Sequence, residues 1–163
     1  MKLSFIAVFS AFLVACLFSP PSRCEVPLAS VESAELKAIP SEINSMLIRS
    51  KSFGVFAQLN CQTKGVELGL SENKSNRAWF VTTADGCGWG AAMGPIWIVG
   101  AMGAHKVSVL LCTGGYSITA SKGIHKGMVD IVISGGTAGR EESATYIYNG
   151  KSYVRKKLGI APP

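Results

Sequence analysis

From Val55 onward, apolar residues fall in short runs of four to six, rich in Val, Ile, Tyr and Trp and separated by Gly, Asn and Ser. That length and composition fit strands rather than helices. The pattern predicts strands near Val55–Asn60, Val66–Leu70, Ala78–Thr83, Ile96–Val99, Val107–Leu111, Ser117–Ala120, Val129–Ser134, Thr145–Tyr148 and Ser152–Arg155. The connections are too short for parallel crossovers, so neighbours should pair antiparallel. Asn149-Gly150 supplies the positive φ angles of a two-residue turn, which predicts a hairpin from the last two strands. Ahead of these runs, Ile39, Ile43, Met46 and Leu47 recur at i, i+4, i+7 and i+8, with Pro40 at a helix-start position and Gly54 past the end. One amphipathic helix is expected there, covering a sheet face because its apolar stripe needs a partner.

The fold class that follows is mainly β: an antiparallel meander with one N-terminal amphipathic helix, curled into a sandwich, an open barrel or a propeller-like sheet. Residues 25–54 form the lead-in and helix, 55–157 the β domain, and 158–163 a tail.

Residues 1–24 have another texture. Lys2 is followed by an apolar stretch from Leu3 to Phe18 and then by Pro20 and Pro21, the layout of a secretory signal. Those sixteen residues would rise about 24 Å as a helix, short of a hydrocarbon core of roughly 30 Å. Two processing sites compete. Leu13-Val14-Ala15-Cys16 looks like a lipobox, which would lipidate Cys16 and tether the domain to a membrane. Ser22-Arg23-Cys24 suits an ordinary cut that frees it in the periplasm.

Composition agrees with a folded, exported domain. The chain is 48% hydrophobic and 16% charged, enough apolar material for a core and too little charge for disorder. Exported thiols tend to be oxidised in pairs. Cys61, Cys87 and Cys112 are the disulfide candidates, with Cys61–Cys87 and Cys87–Cys112 both open. Net charge is +6, unevenly spread: residues 25–100 carry six Lys/Arg and seven Asp/Glu, residues 101–163 eight and three. A basic patch suits an acidic partner, an anionic head group or a phosphate-rich polymer; the plainer reading is solvated lysines.

Candidate chemistry is sparse. His105 and His125 are the near-neutral bases, each followed by lysine, and a thiol enzyme would need Cys87 with one of them and Asp85 or Asp130. Metal-ligand spacings are missing, and the chain has only two aspartates, so neither metal nor cofactor is expected. Glu141 and Glu142 are adjacent, and neighbouring strand residues point to opposite faces, which argues against a paired-carboxylate site. Asp85-Gly86-Cys87-Gly88-Trp89-Gly90 is glycine-rich but leads into a strand, unlike a phosphate loop, which opens a helix. It reads as a surface loop offering Trp89 to a partner, against the alternative that Trp79, Trp89 and Trp97 are all core. Thr113-Gly114-Gly115-Tyr116 reads as a glycine turn between strands, or as a protruding loop that presents a hydroxyl and a phenol to a partner's cleft.

The stretch from Ala84 to Lys156 combines a Cys/Gly-rich loop, a Gly-Gly-Tyr element, the strand Gly127-Met128-Val129-Asp130-Ile131-Val132 and the hairpin Tyr148 to Tyr153. In this it resembles small exported proteobacterial β proteins, some of them similar to periplasmic lysozyme inhibitors or to immunity proteins against peptidoglycan-cutting effectors. Thr113-Gly114-Gly115-Tyr116 resembles the inhibitors' Ser-Gly-x-Tyr loop with Thr for Ser, and Tyr153 with Lys157 fits their Tyr-x-x-x-Lys element. A second loop cysteine of the wider group is replaced near Met93. The resemblance implies a non-enzymatic periplasmic binding protein with a cell-wall hydrolase as its protein partner, touched by Thr113, Gly114, Tyr116, Tyr153, Lys157 and Trp89. The basic C-terminal part counts against a basic lysozyme, which would be repelled at encounter; an acidic hydrolase removes that objection. No nucleic acid is expected, and membrane contact only through a lipid on Cys16. The competing readings are an envelope lipoprotein with a structural role and a thiol-dependent enzyme using Cys87.

Overall fold

The computed structural model describes residues 27–90, 93–103, 106–137 and 140–157. The signal segment with Cys16 and Cys24, His105 and residues 158–163 lie outside the described residues.

The strands form two antiparallel sheets packed face to face. One sheet has the order β2-β3-β4-β5, from Thr63–Leu68 (β2), Arg77–Thr83 (β3), Gly94–Ala101 (β4) and Ser108–Gly115 (β5). The other has the order β1-β6-β7-β8-β9, from Ala29–Ser30 (β1), Ser117–His125 (β6), Met128–Thr137 (β7), Arg140–Tyr148 (β8) and Tyr153–Arg155 (β9). Among the described residues the barrel and propeller alternatives give way to this sandwich.

Alternation along β3 and β4 builds two cores, one on each face of the four-stranded sheet. Ala78, Phe80, Ile96 and Ile98 turn inward and meet Ile118, Ile131 and Ile133 of the second sheet. Leu110 and Leu111 both join them, because the β4–β5 register shifts beside Ile98 and inserts one residue into β5. The outward set, Trp79, Val81, Trp97 and Val99, is covered by Ile43 and Leu47 of the helix Ser41–Ile48 (α1) and by Phe53. The expected helix therefore exists and does cover a sheet face.

The segment expected as a strand at Val55–Asn60 is instead a short helix, Gly54–Gln58 (α2). Phe56 is its one anchor, meeting Trp97 edge-on with ring centroids 5.0 Å apart, while Val55 and Leu59 stay exposed. A strand would have needed a ladder partner for every residue. Asn60, at φ 54°, closes the helix in the left-handed conformation that asparagine tolerates.

The last hairpin is present, with Tyr148 paired to Tyr153 and their rings 5.5 Å apart. Its turn is shifted by one residue from expectation. Asn149 N–H donates to Ser152 O, and Gly150 alone takes positive φ, so Gly150-Lys151 form the turn. The Asn149 side chain flanks it, accepting from the N–H groups of Lys151 and Ser152 at 2.9 Å each.

Candidate functional site

Thr113 and Gly114 are not a loop. They lie in β5, paired with Ile96 and Pro95 of β4, and Tyr116 alone separates β5 from β6, which belongs to the other sheet. The Gly-Gly-Tyr element is thus the corner at which one strand switches sheets. Glycine is required here by closeness of backbone: a Cβ on Gly115 would lie 2.6 Å from Ile133 Cγ2. Tyr116 N–H donates to Ser134 O and its carbonyl accepts from Val31 N–H, so the corner is pinned on both sides.

Tyr116 projects from this corner with 39% of its surface exposed, and its hydroxyl donates to Glu32 Oε2 at 2.9 Å. That hydrogen bond pushes the phenol pKa up, with smaller contributions from partial burial and the Glu32 charge. Beside the ring runs an open groove of about 880 Å³, lined by Ser134, Thr137 and Ser143 and by Arg140, Glu141 and Glu142 of the β7–β8 hairpin. A smaller cleft of about 220 Å³ adjoins it through Gly135, Glu142 and Ser143 and lies between the sheets, where Thr113 and Gly114 face Tyr146 and Arg155. Thr113 Oγ1 stands 3.4 Å from Tyr146 Oη. Three residues singled out from sequence, Thr113, Gly114 and Tyr116, therefore share one end of the sandwich.

Tyr153 does not join them. It is buried near the far end of β9, and its hydroxyl donates to Val129 O at 2.8 Å, a core role that removes it from any contact surface. Lys157 is exposed, one residue beyond Lys156, whose N–H donates to Thr145 O. Trp89 is half-buried rather than offered outward. Its Nε1–H donates to Thr83 Oγ1 at 2.8 Å, Thr83 in turn donates to Cys87 O, and the ring lies over Gly94. Trp79 and Trp97 are core residues.

Cys61 and Cys87 form a disulfide, tying the residues after α2 to the Trp89 loop. Cys87 therefore offers no thiol, and the enzyme reading loses its nucleophile. Among the described residues Cys112 has no disulfide partner and is exposed; partial burial of its sulfur nevertheless pushes the thiol pKa up, against hydrogen bonds from Ser52 and Trp97. Among the described residues no three His, Cys, Asp or Glu side chains gather as metal ligands.

His125 and Asp130, named from sequence only as possible helpers of Cys87, pair with each other away from it. Asp130 is buried at 3% exposure, and its Oδ1 lies 2.6 Å from His125 Nδ1. The tight turn Lys126-Gly127, both at positive φ, folds the two strands so that these residues meet. A histidine five positions before an aspartate across a Lys-Gly turn was the only signal, and it is a weak one.

Comparison with protein-family models, curated proteins and solved structures finds no match to this chain.

Proposed function

We propose that the protein is an exported binding module that engages a peptidoglycan hydrolase of the lysozyme type through the Tyr116 end of the sandwich. The observation that carries this reading is Tyr116 itself: an exposed aromatic, held by Glu32, at the mouth of a polar groove. Interfaces concentrate their energy in such anchors, and fixing the ring beforehand lowers the entropy lost on binding. The surrounding charge favours a cationic partner. Glu32, Glu141 and Glu142 against Arg140 stand around Tyr116, so the repulsion expected from the basic C-terminal half does not apply at this face. The Cys61–Cys87 bridge suits an oxidising compartment outside the cytoplasm, and no helix among the described residues is long and apolar enough to cross a membrane.

The test is inhibition of muralytic activity by the exported form of the protein. Tyr116→Ala should weaken inhibition by roughly 30-fold, the loss of about 2 kcal/mol typical of an aromatic hot spot, with circular dichroism unchanged. Arg140→Glu should leave it intact or improved. Full inhibition by Tyr116→Ala, or no inhibition by the parent protein of any hydrolase from lysozyme-type, amidase and glucosaminidase classes, overturns the reading.

A further inference from the structure

We propose a second site at the opposite end of the sandwich, a lysine-bearing pole that docks on the surface of a bilayer containing anionic phospholipid. It uses none of the residues around Tyr116.

Four connections meet at this pole, and each carries one exposed lysine: Lys74 between β2 and β3, Lys106 between β4 and β5, Lys126 between β6 and β7, Lys151 between β8 and β9. In sequence they are spread singly over the chain and form no basic run. In the fold they are drawn together by specific bonds. Ser71 Oγ–H donates to Gly127 O at 2.8 Å, and Val129 N–H to Leu70 O, joining the first connection to the third. Gly103 N–H donates to Asn76 Oδ1 at 2.9 Å, joining the first to the second. A Cβ on Gly150 would touch Lys126 Cγ at 4.0 Å, which places the fourth beside the third. Among the described residues the direct carboxylate contacts are Arg77–Glu67 and His125–Asp130, so none of the four ammonium groups is in direct contact with a carboxylate there; exposed Glu72 stands two residues before Lys74.

Two further features separate a lipid surface from a soluble polyanion. Between the second and fourth connections lies a cavity of about 230 Å³, with Lys106, Lys151 and Ser108 at its rim and Met102, Leu110 and Tyr148 among its walls. In this docking mode a phosphodiester faces Lys106 and Lys151, with its glycerol toward Met102, Leu110 and Tyr148. Ile124 stands two positions before Lys126 with 61% of its surface exposed. Such a side chain gains nothing from a polyanion in water, but enters the headgroup layer of a bilayer favourably. A surface carrying lysines near an anionic leaflet gains about 1 kcal/mol for each, or roughly fivefold in binding per lysine.

The experiment is co-sedimentation of the exported protein with vesicles of phosphatidylethanolamine and phosphatidylglycerol, against vesicles of phosphatidylcholine alone. An acyl chain on Cys16 would partition into both, so the ratio between them is the readout. The expected result is preference for the anionic vesicles, weakened by salt, lowered roughly 25-fold in the double variant Lys106→Gln/Lys151→Gln at fivefold per lysine, and lowered also by Ile124→Ser. Tyr116→Ala should bind vesicles like the parent, which keeps this test separate from that of hydrolase binding. Equal binding to both vesicle types, or no loss in the lysine variant, overturns the proposal. Binding to soluble polyphosphate as tight as to anionic vesicles, with Ile124→Ser without effect, overturns the lipid assignment. All variants replace exposed side chains, and near-ultraviolet circular dichroism checks that each is folded.

Discussion

Gly115 and Gly135 pack backbone against backbone where the two sheets converge: a Cβ on Gly135 would lie 3.1 Å from the Gly115 Cα and 3.0 Å from the Met93 sulfur. This contact links the fold to its candidate site. It lets β5 pass directly into β6 across the width of the sandwich, and it leaves Tyr116, the single residue at the crossing, on the outside beside the groove. Gly115, which reads in sequence as part of a glycine turn, is therefore a close approach between sheets.

Gly115→Ala should destabilise the protein by about 1–3 kcal/mol, the usual cost of an extra methyl group in a packed site. Gly114→Ala, whose new Cβ would meet nothing within 4 Å, should stay within about 0.5 kcal/mol of the parent. Urea unfolding of the two variants compares neighbouring glycines directly. Equal stability of the two would show that the corner tolerates side chains.

His125→Ala should cost about 1–3 kcal/mol, because it deprives a buried carboxylate of its one side-chain partner among the described residues. The lower end is expected, since the His125 side chain is 48% exposed and water can enter in its place. Asp130→Asn should cost less in the His125→Ala background than in the parent. A double-mutant cycle in urea measures this coupling, and additive losses would mean the pair contributes nothing jointly.

The elements were legible wherever one physical cause dominated. Unbroken apolar runs marked β3 and β4 because Trp79 and Phe80, or Trp97 and Ile98, bury opposite faces against two different cores. Asn149-Gly150 marked the last hairpin because its turn depends on local geometry. What failed depended on distant partners. Val55–Asn60 has strand-like composition, but Phe56 found Trp97 and no ladder formed. Nothing near Gly114-Gly115 shows that β5 and β6 belong to different sheets. Tyr153 looks like a surface phenol until Val129 O meets it. The four lysines of the basic pole are separated by whole strands, and only the topology unites them.

Reducing the Cys61–Cys87 bridge should remove roughly 3.5 kcal/mol by the chain-entropy relation for a loop of this size, its ends being 26 residues apart. The loss should first be felt at Trp89, since Thr83 connects the indole to Cys87 O. Denaturant midpoints with and without reductant, read by tryptophan fluorescence, check both points. Cys112→Ser should leave the midpoint under oxidising conditions nearly unchanged, because that residue takes no part in the bridge.

Alkaline pH should unfold the protein through its buried tyrosines. Burial raises the Tyr153 pKa far above the ordinary phenol value, with the nearby Asp130 charge adding to it, and burial raises Tyr148 in the same direction. Below about pH 10 both folded and unfolded chains keep these protons, and the stability is whole. Above it the unfolded tyrosines ionise while folded Tyr153 holds its proton, so the unfolded state binds fewer protons and stability falls as pH rises, by up to about 1.4 kcal/mol per pH unit for one such group. Tyr153→Phe should lose about 1 kcal/mol at neutral pH with the hydrogen bond to Val129 O. It should then lose less than the parent between about pH 8 and about pH 11, leaving the part due to Tyr148. Urea titrations at those two pH values decide it: an unchanged pH slope in Tyr153→Phe would assign alkaline unfolding to other groups.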